Sequence, residues 1–152
     1  MDTPDVCKRC AASPPTCCVL KENEKELCFP LFPGEVERLG KHSPARDGEG
    51  CEPPFVTMPN AKELIAAMLR LFPDEEEAVH RLFPEDGEHV RLGTDPEGYC
   101  VFLGADGCVL SGEERPAHCR LFPFWMANGK QRYLDAECLA IAEARGFAML
   151  YR

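Results

Sequence analysis

The chain has no apolar run near the ~20 residues that a membrane-spanning helix needs. Its N-terminus, Met1-Asp2-Thr3-Pro4-Asp5, has neither the basic start nor the apolar stretch of a secretory leader. The expectation is a cytoplasmic protein with no membrane partner. Positive charge is also scarce: 17 Lys and Arg stand against 26 Asp and Glu, a formal net charge of −9. That excess repels phosphate backbones, so no nucleic-acid partner is expected. No Gly-rich phosphate loop, serine nucleophile motif or helical pair of metal-binding histidines is present. No catalytic motif is identified, and an enzymatic role stays open.

Cysteine is abundant, with ten in 152 residues. Cys7, Cys10, Cys17 and Cys18 form one group, and Cys100, Cys108, Cys119 and Cys138 form another. Cys28 and Cys51 stand between them. A reducing compartment disfavours disulfides, so many thiols there suggest metal ligation or redox chemistry. The length suits one domain, residues 1–152, with an apolar fraction that can support a core without cysteine staples.

Local patterns predict a small α+β fold. It combines irregular Cys-rich loops, a short β-hairpin and a helical hairpin. Ser13-Pro14-Pro15 breaks the first Cys-rich segment. Pro33 opens a short helix running to Leu39. Residues 41–54, with Gly48, Gly50, Pro53 and Pro54, read as an exposed loop. Asn60 is expected to cap a helix, with Glu63 completing a capping box. Its apolar stripe is Leu64, Ile65, Met68, Leu69 and Phe72, and Pro73 stops it. Asp74 is expected to cap a second helix bearing Ala78, Val79, Leu82 and Phe83, stopped by Pro84. The acidic run Asp74 to Glu77 reads as its solvated N-terminus. Leu-Phe-Pro recurs at residues 31–33, 71–73, 82–84 and 121–123 with unlike flanks. It reads as a device that ends elements, not as a repeat.

Further on, Tyr99 to Leu103 and Cys108 to Leu110 read as strands joined by a turn at Gly104 to Gly107. Ser111 is expected to cap a single helical turn before Pro116. Residues Cys119 to Trp125 read as extended, and Ala127 to Lys130 as a turn. A last helix is expected from Asp135 to Arg145, with Cys138 in its first turn. Phe122, Phe124 and Trp125 read as core beside the thiols.

The thiol spacing carries the chemistry. Cys7-Lys8-Arg9-Cys10 is a C-x2-C knuckle, whose two sulfurs can face one ion. Cys17 and Cys18 follow six residues later, and adjacent cysteines rarely bridge each other because the geometry is strained. Eight thiols in two distant groups suit two four-thiolate sites, or one cluster with thiols to spare. Thiolates around a divalent ion need N–H donors or cations. Lys8, Arg9, Arg115 and Arg120 all lie beside cysteines. His118 is a further candidate ligand, although the thiols suffice without it. His42, His80 and His89 have no partner spacing and read as surface residues.

The stretch Tyr99-Cys100-Val101-Phe102-Leu103, Gly107-Cys108-Val109-Leu110 and Arg115-Pro116-Ala117-His118-Cys119-Arg120-Leu121-Phe122-Pro123-Phe124 resembles the second half of the CxxCxxCC, or YkgJ-type, cysteine-cluster family. Cys7, Cys10, Cys17 and Cys18 resemble its first half, and Cys138 falls at its last cysteine. The six-residue spacer after Cys10 is longer than the family's usual two, and Val101 and Leu139 replace usual prolines. The resemblance covers both ends, leaving residues 40–98 as a variable helical insert. It implies a zinc- or iron-chelating protein, with an iron–sulfur cluster included among the options. The implied ligands are Cys7, Cys10, Cys17, Cys18, Cys100, Cys108, Cys119 and Cys138. A related cluster in a bacterial flagellin lysine-methylating enzyme keeps a redox or protein-modifying component as an alternative. A disulfide-held interaction domain is the other alternative.

Overall fold

The computed structural model describes residues 18–20, 30–122, 124–127 and 129–133. The fold is α+β, as expected. Its central element is an antiparallel pair of five-residue strands that the sequence reading missed. Strand β1, Phe55–Pro59, pairs antiparallel with β2, Glu88–Leu92, from Phe55↔Leu92 to Pro59↔Glu88. Leu31 bridges Val90 on the other side of β2, its amide 2.7 Å from the Val90 carbonyl. Residues 60–87 leave the end of this ladder as a pair of helices.

Those helices follow the apolar stripes. Helix α2 is Lys62–Leu71 and α3 is Glu76–Leu82 (α1 is described below). Leu64, Ile65, Met68, Phe72, Val79 and Phe83 form one buried cluster between them. Leu82 is 55% exposed, against expectation, because Phe83 takes the inward place at the end of the helix. The residues at 74, 76 and 77 are exposed, as a solvated acidic start requires.

Both expected caps are corrected. The N-cap of α2 is Ala61 and that of α3 is Glu75, with no side-chain cap on either. Asn60 is buried and otherwise engaged. Its amide donates to the Gly87 carbonyl (2.9 Å), its Nδ2 donates to the Pro84 carbonyl (2.8 Å), and its Oδ1 lies 2.9 Å from His89 Nδ1. One side chain thus closes the base of the helical hairpin, an outcome that outweighs a local cap. His89 is therefore core, at 8% exposed, and not a surface residue.

The Leu-Phe-Pro device acts as expected at the described helix ends. Phe72 and Phe83 leave their helices with nearly the same backbone angles, φ −127 and ψ 67 against φ −128 and ψ 69. The following proline disfavours helical geometry at the residue before it. At residues 31–33 the same tripeptide starts a helix. Phe32 is extended, and Pro33 is the first residue of α1, Pro33–Leu39, as the sequence predicts.

Beyond β2 the chain builds a second core. Leu31, Leu39, Leu92, Val101, Phe102 and Leu110 are buried together, with Cys100, Cys108 and Cys119 packed against them. The expected strand Tyr99 to Leu103 is corrected here. The chain turns at Val101 and Phe102, where the Leu103 amide donates to the Cys100 carbonyl (2.9 Å). Both side chains are 0% exposed, and burying them in this core is incompatible with a straight alternating strand. The remaining hairpin is short: β3, Leu103–Gly104, against β4, Gly107–Cys108, around the expected turn. Ser111 and Glu114 cap one another across the single turn before Pro116 (Ser111 amide to Glu114 Oε2, 2.9 Å).

Residues 119 to 121, expected to be extended, lie in helix α4, Ala117–Leu121. Strands β5, Phe124–Ala127, and β6, Lys130–Tyr133, then pair around the expected turn. Phe122 is only half-buried. The side chains of Phe124 and Trp125 and the expected helix from Asp135 lie outside the described residues. Among the described residues, no helix is long and apolar enough to cross a membrane.

Two outcomes test this architecture. Leu64 is 0% exposed, so Leu64→Ala should destabilise the protein by roughly 2–5 kcal/mol in denaturant titrations. The second concerns pH. Burial, and then the Arg91 charge, hold His89 below its ordinary value. The unfolded chain therefore binds this proton more readily than the folded one. Stability should be intact above about pH 6.5 and decline as the pH falls below it. Unfolding free energies at pH 7.5 and 5.0 should show a smaller decline for His89→Gln than for the parent.

Candidate metal centre

The two cysteine groups meet through backbone pairing. Val19 bridges Tyr99 antiparallel, the Leu20 amide donates to the Gly98 carbonyl (2.7 Å) and the Cys100 amide donates to the Cys18 carbonyl (2.8 Å). That register sets Cys18 opposite Cys100. Opposed residues project to the same face of such a ladder. Thr94 bridges Cys100 on the other side, so residues 98–100 lie between two extended segments.

The turn that presents Cys100 is held by charged groups. Asp95 Oδ1 accepts the amides of Glu97 and Tyr99, each at 2.9 Å. Asp95 Oδ2 receives Arg46, whose guanidinium lies 4.8 Å from the Tyr99 ring centroid and whose Nε donates to the Leu103 carbonyl (2.7 Å). Thr94 is held by Glu52, which accepts its amide (2.9 Å) and its hydroxyl (3.1 Å). The same carboxylate takes two bonds from Arg91, at 2.7 and 2.9 Å. None of Arg46, Glu52, Arg91 or Asp95 was singled out from sequence. Arg46 and Glu52 fall in a stretch that reads only as loop.

Cys108 has the most fully defined surroundings. Its thiol is pushed up chiefly by burial. Hydrogen bonds from the Leu110 amide and the Arg115 side chain, with the Arg115 charge, oppose that rise, while nearby Cys18 adds to it. Backbone amides and nearby cations are the groups that a metal thiolate needs, and the Arg115 charge acts on this thiol. Arg115 thus stands where the sequence suggested. Arg120 is exposed and reaches the Glu113 carbonyl at 3.5 Å.

Cys119 sits mid-way along α4 and packs on the same apolar cluster as Cys100 and Cys108. His118 precedes it, with a buried Nδ1. Burial pushes His118 down to about 4, against the opposing pull of Glu35. The site therefore holds a neutral imidazole near neutral pH. Glu35 anchors α4 itself, since its Oε1 accepts the Ala117 amide at 2.7 Å.

Of the eight expected ligands, Cys18, Cys100, Cys108 and Cys119 fall among the described residues, all half-buried. Cys7, Cys10, Cys17 and Cys138 lie outside them, as does Cys28. Cys51 is half-buried in the loop before Glu52. Among the described residues, no three His, Cys, Asp or Glu side chains stand together as a metal-holding group. The thiols fit a zinc or iron site in donor type, and Cys100, Cys108 and Cys119 pack on one apolar cluster. The fit does not extend to a complete ligand set.

The ladder at Cys18 depends on Gly98. Its φ is +91°, and a Cβ there would come 2.3 Å from the Leu20 carbonyl oxygen. Gly98→Ala should cost roughly 1–3 kcal/mol in backbone strain alone and detach the two segments. Alkylation of Cys18 and Cys100, followed by mass spectrometry, should accelerate. Gly112→Ala, where a Cβ meets nothing within 4 Å, should leave both rates unchanged. No family model matches the chain, and neither the curated proteins nor the solved structures contain a match.

Proposed function

We propose that this chain is a small metal-binding protein. Cysteine thiolates from both ends, Cys7, Cys10, Cys17, Cys18, Cys100, Cys108, Cys119 and Cys138, hold zinc or iron. The observation that carries this reading is the ladder placing Cys18 opposite Cys100, with Cys108 packed on the same apolar cluster as Cys100. A cysteine-rich loop needs no such long-range pairing for its own sake. Bringing thiols from positions 18 and 100 together beside N–H donors suits a shared cation. The resemblance to the CxxCxxCC family supports the same reading. When bound, the metal supplies the positive charge against which buried thiolates can persist.

Metal analysis of the purified protein is the test. Stoichiometric zinc in a colourless sample supports a thiolate zinc site. A brown anaerobic sample with iron and sulfide supports a cluster, and with it a redox or modifying role. Removal of the metal with a strong chelator should lower Tm. Ligand at 1,000 times its Kd contributes about 4 kcal/mol, which for a domain of this size corresponds to roughly 10 °C. Absence of bound metal together with an unchanged melt overturns the proposal. Thiol titration under denaturing conditions then identifies a disulfide-held domain if fewer than ten thiols react.

A further inference from the structure

We propose that Glu35 is a positioning residue of this thiol site. Its buried carboxylate fixes helix α4, and through it Cys119, against helix α1. The proposal rests on the metal-binding reading and adds the device that sets one ligand in place.

Glu35 is 8% exposed and its two oxygens have different tasks. Oε2 accepts the Phe32 amide at 3.0 Å, which closes the start of its own helix. Any acid at the third helical position can do that. Oε1 accepts the Ala117 amide at 2.7 Å, from 82 positions away. Ala117 is the first residue of α4, and Cys119 follows two residues later. A helix of five residues has too few internal bonds to hold its own place. Its position must come from outside contacts.

Two further side chains of the α1 region reach the same segment. Arg38 Nη2 lies 3.4 Å from the carbonyls of Glu114 and Arg115, and His42 Nε2 lies 3.4 Å from Glu114 Oε1. Those contacts are long and exposed. The Glu35 bond is short, charge-assisted and sheltered, so it dominates. The segment it pins also begins at Arg115, whose Nε donates to the Leu110 carbonyl at 3.3 Å and whose charge acts on the Cys108 thiol. Holding the Ala117 amide therefore sets the helix that carries one thiol, and the segment that brings a positive charge near another.

Two substitutions break this bond from opposite ends. Glu35→Gln puts an NH2 group in place of one of the two oxygens that the amides of Phe32 and Ala117 now meet separately, so one amide faces a donor. Ala117→Pro removes only the donor. Proline is tolerated at a first helical position, and Pro116 already has the extended backbone that a following proline requires (φ −54, ψ 152). Full-length Zn(II)-loaded protein is mixed with a chromophoric chelator, and Zn(II) release is timed. Both variants should release Zn(II) roughly 10–100-fold faster than the parent. Leu64→Ala, destabilised in the other core, should release it at the parental rate. In the metal-free proteins, alkylation of Cys119 relative to Cys51 should also accelerate in both variants. Parental release and parental Cys119 alkylation in Ala117→Pro overturn the proposal. If the parent takes up no Zn(II), the zinc form of the metal-binding reading fails by itself. The alkylation result then decides the role of Glu35: acceleration sustains it and an unchanged rate refutes it.

Discussion

A guanidinium that is 2% exposed must find a carboxylate, and the arrangement around Arg91 follows from that requirement. Arg91 lies on β2, between Val90 and Leu92 of the second core. Glu52 meets it with two hydrogen bonds, and this draws the end of a long loop onto the strand. The same carboxylate then takes the Thr94 amide and hydroxyl. Thr94 bridges Cys100, so the position of a candidate ligand is set three contacts from a buried charge. Removing one partner of such a pair commonly costs roughly 3–5 kcal/mol, because the other is left buried and uncompensated. Here the loss would also release the turn at residues 95–100. Stability and site geometry therefore share one interaction.

The two cores carry different loads. The helical pair closes on Leu64, Ile65, Met68, Phe72, Val79 and Phe83, all contributed by residues 64–83. Its contacts are local, and Asn60 ties its base. The second core gathers Leu31, Leu39, Leu92, Val101, Phe102 and Leu110 from across the chain. The described thiols other than Cys18 and Cys51 pack on this second core. Its parts are far apart in sequence and pay a larger closure entropy than the helical pair does. A cation shared between the chain ends would act on this core and leave the helical one largely alone.

Much of the fold was legible where short-range rules decide. The helix from Pro33 to Leu39, the stripes of the helical pair and the Gly104 to Gly107 turn follow from proline, period and glycine. The β1–β2 pairing was not legible. Its strands are five residues each, with 28 residues between them, and neither shows a clean alternation of burial. The cap at Asn60 failed for a related reason: the local signal was real, but tertiary partners offered its side chain more bonds. For the candidate site, the two cysteine groups that the sequence sets far apart meet at Cys18 and Cys100. Glu35, Arg46, Glu52 and Asp95 gave no signal, because an acid or base in a loop looks the same whether it is solvated or buried. Cys119 was placed correctly but in the wrong element, since an apolar segment bounded by prolines holds either a strand or one turn of helix.

The electrostatics of Cys108 bear on what the cluster is for. Burial and a neighbouring thiol both resist ionisation, and one amide and one arginine work against them. The rise wins, so these donors alone leave the sulfur as a thiol at neutral pH. A purely structural thiol gains little from being held in that balance, because a small buried hydrophobe needs no N–H donors. A disulfide sulfur carries no charge and gains little from an arginine either. Donors aimed at sulfur have their full effect only when the sulfur is a thiolate. In an interior of this kind a thiolate persists only beside a cation stronger than one arginine. With a divalent ion present the same groups change role. The Arg115 charge would then offset part of the excess negative charge of a multi-thiolate site, and the apolar packing of Cys108 would limit competing water. That conditional usefulness is what the proposed metal site would draw on.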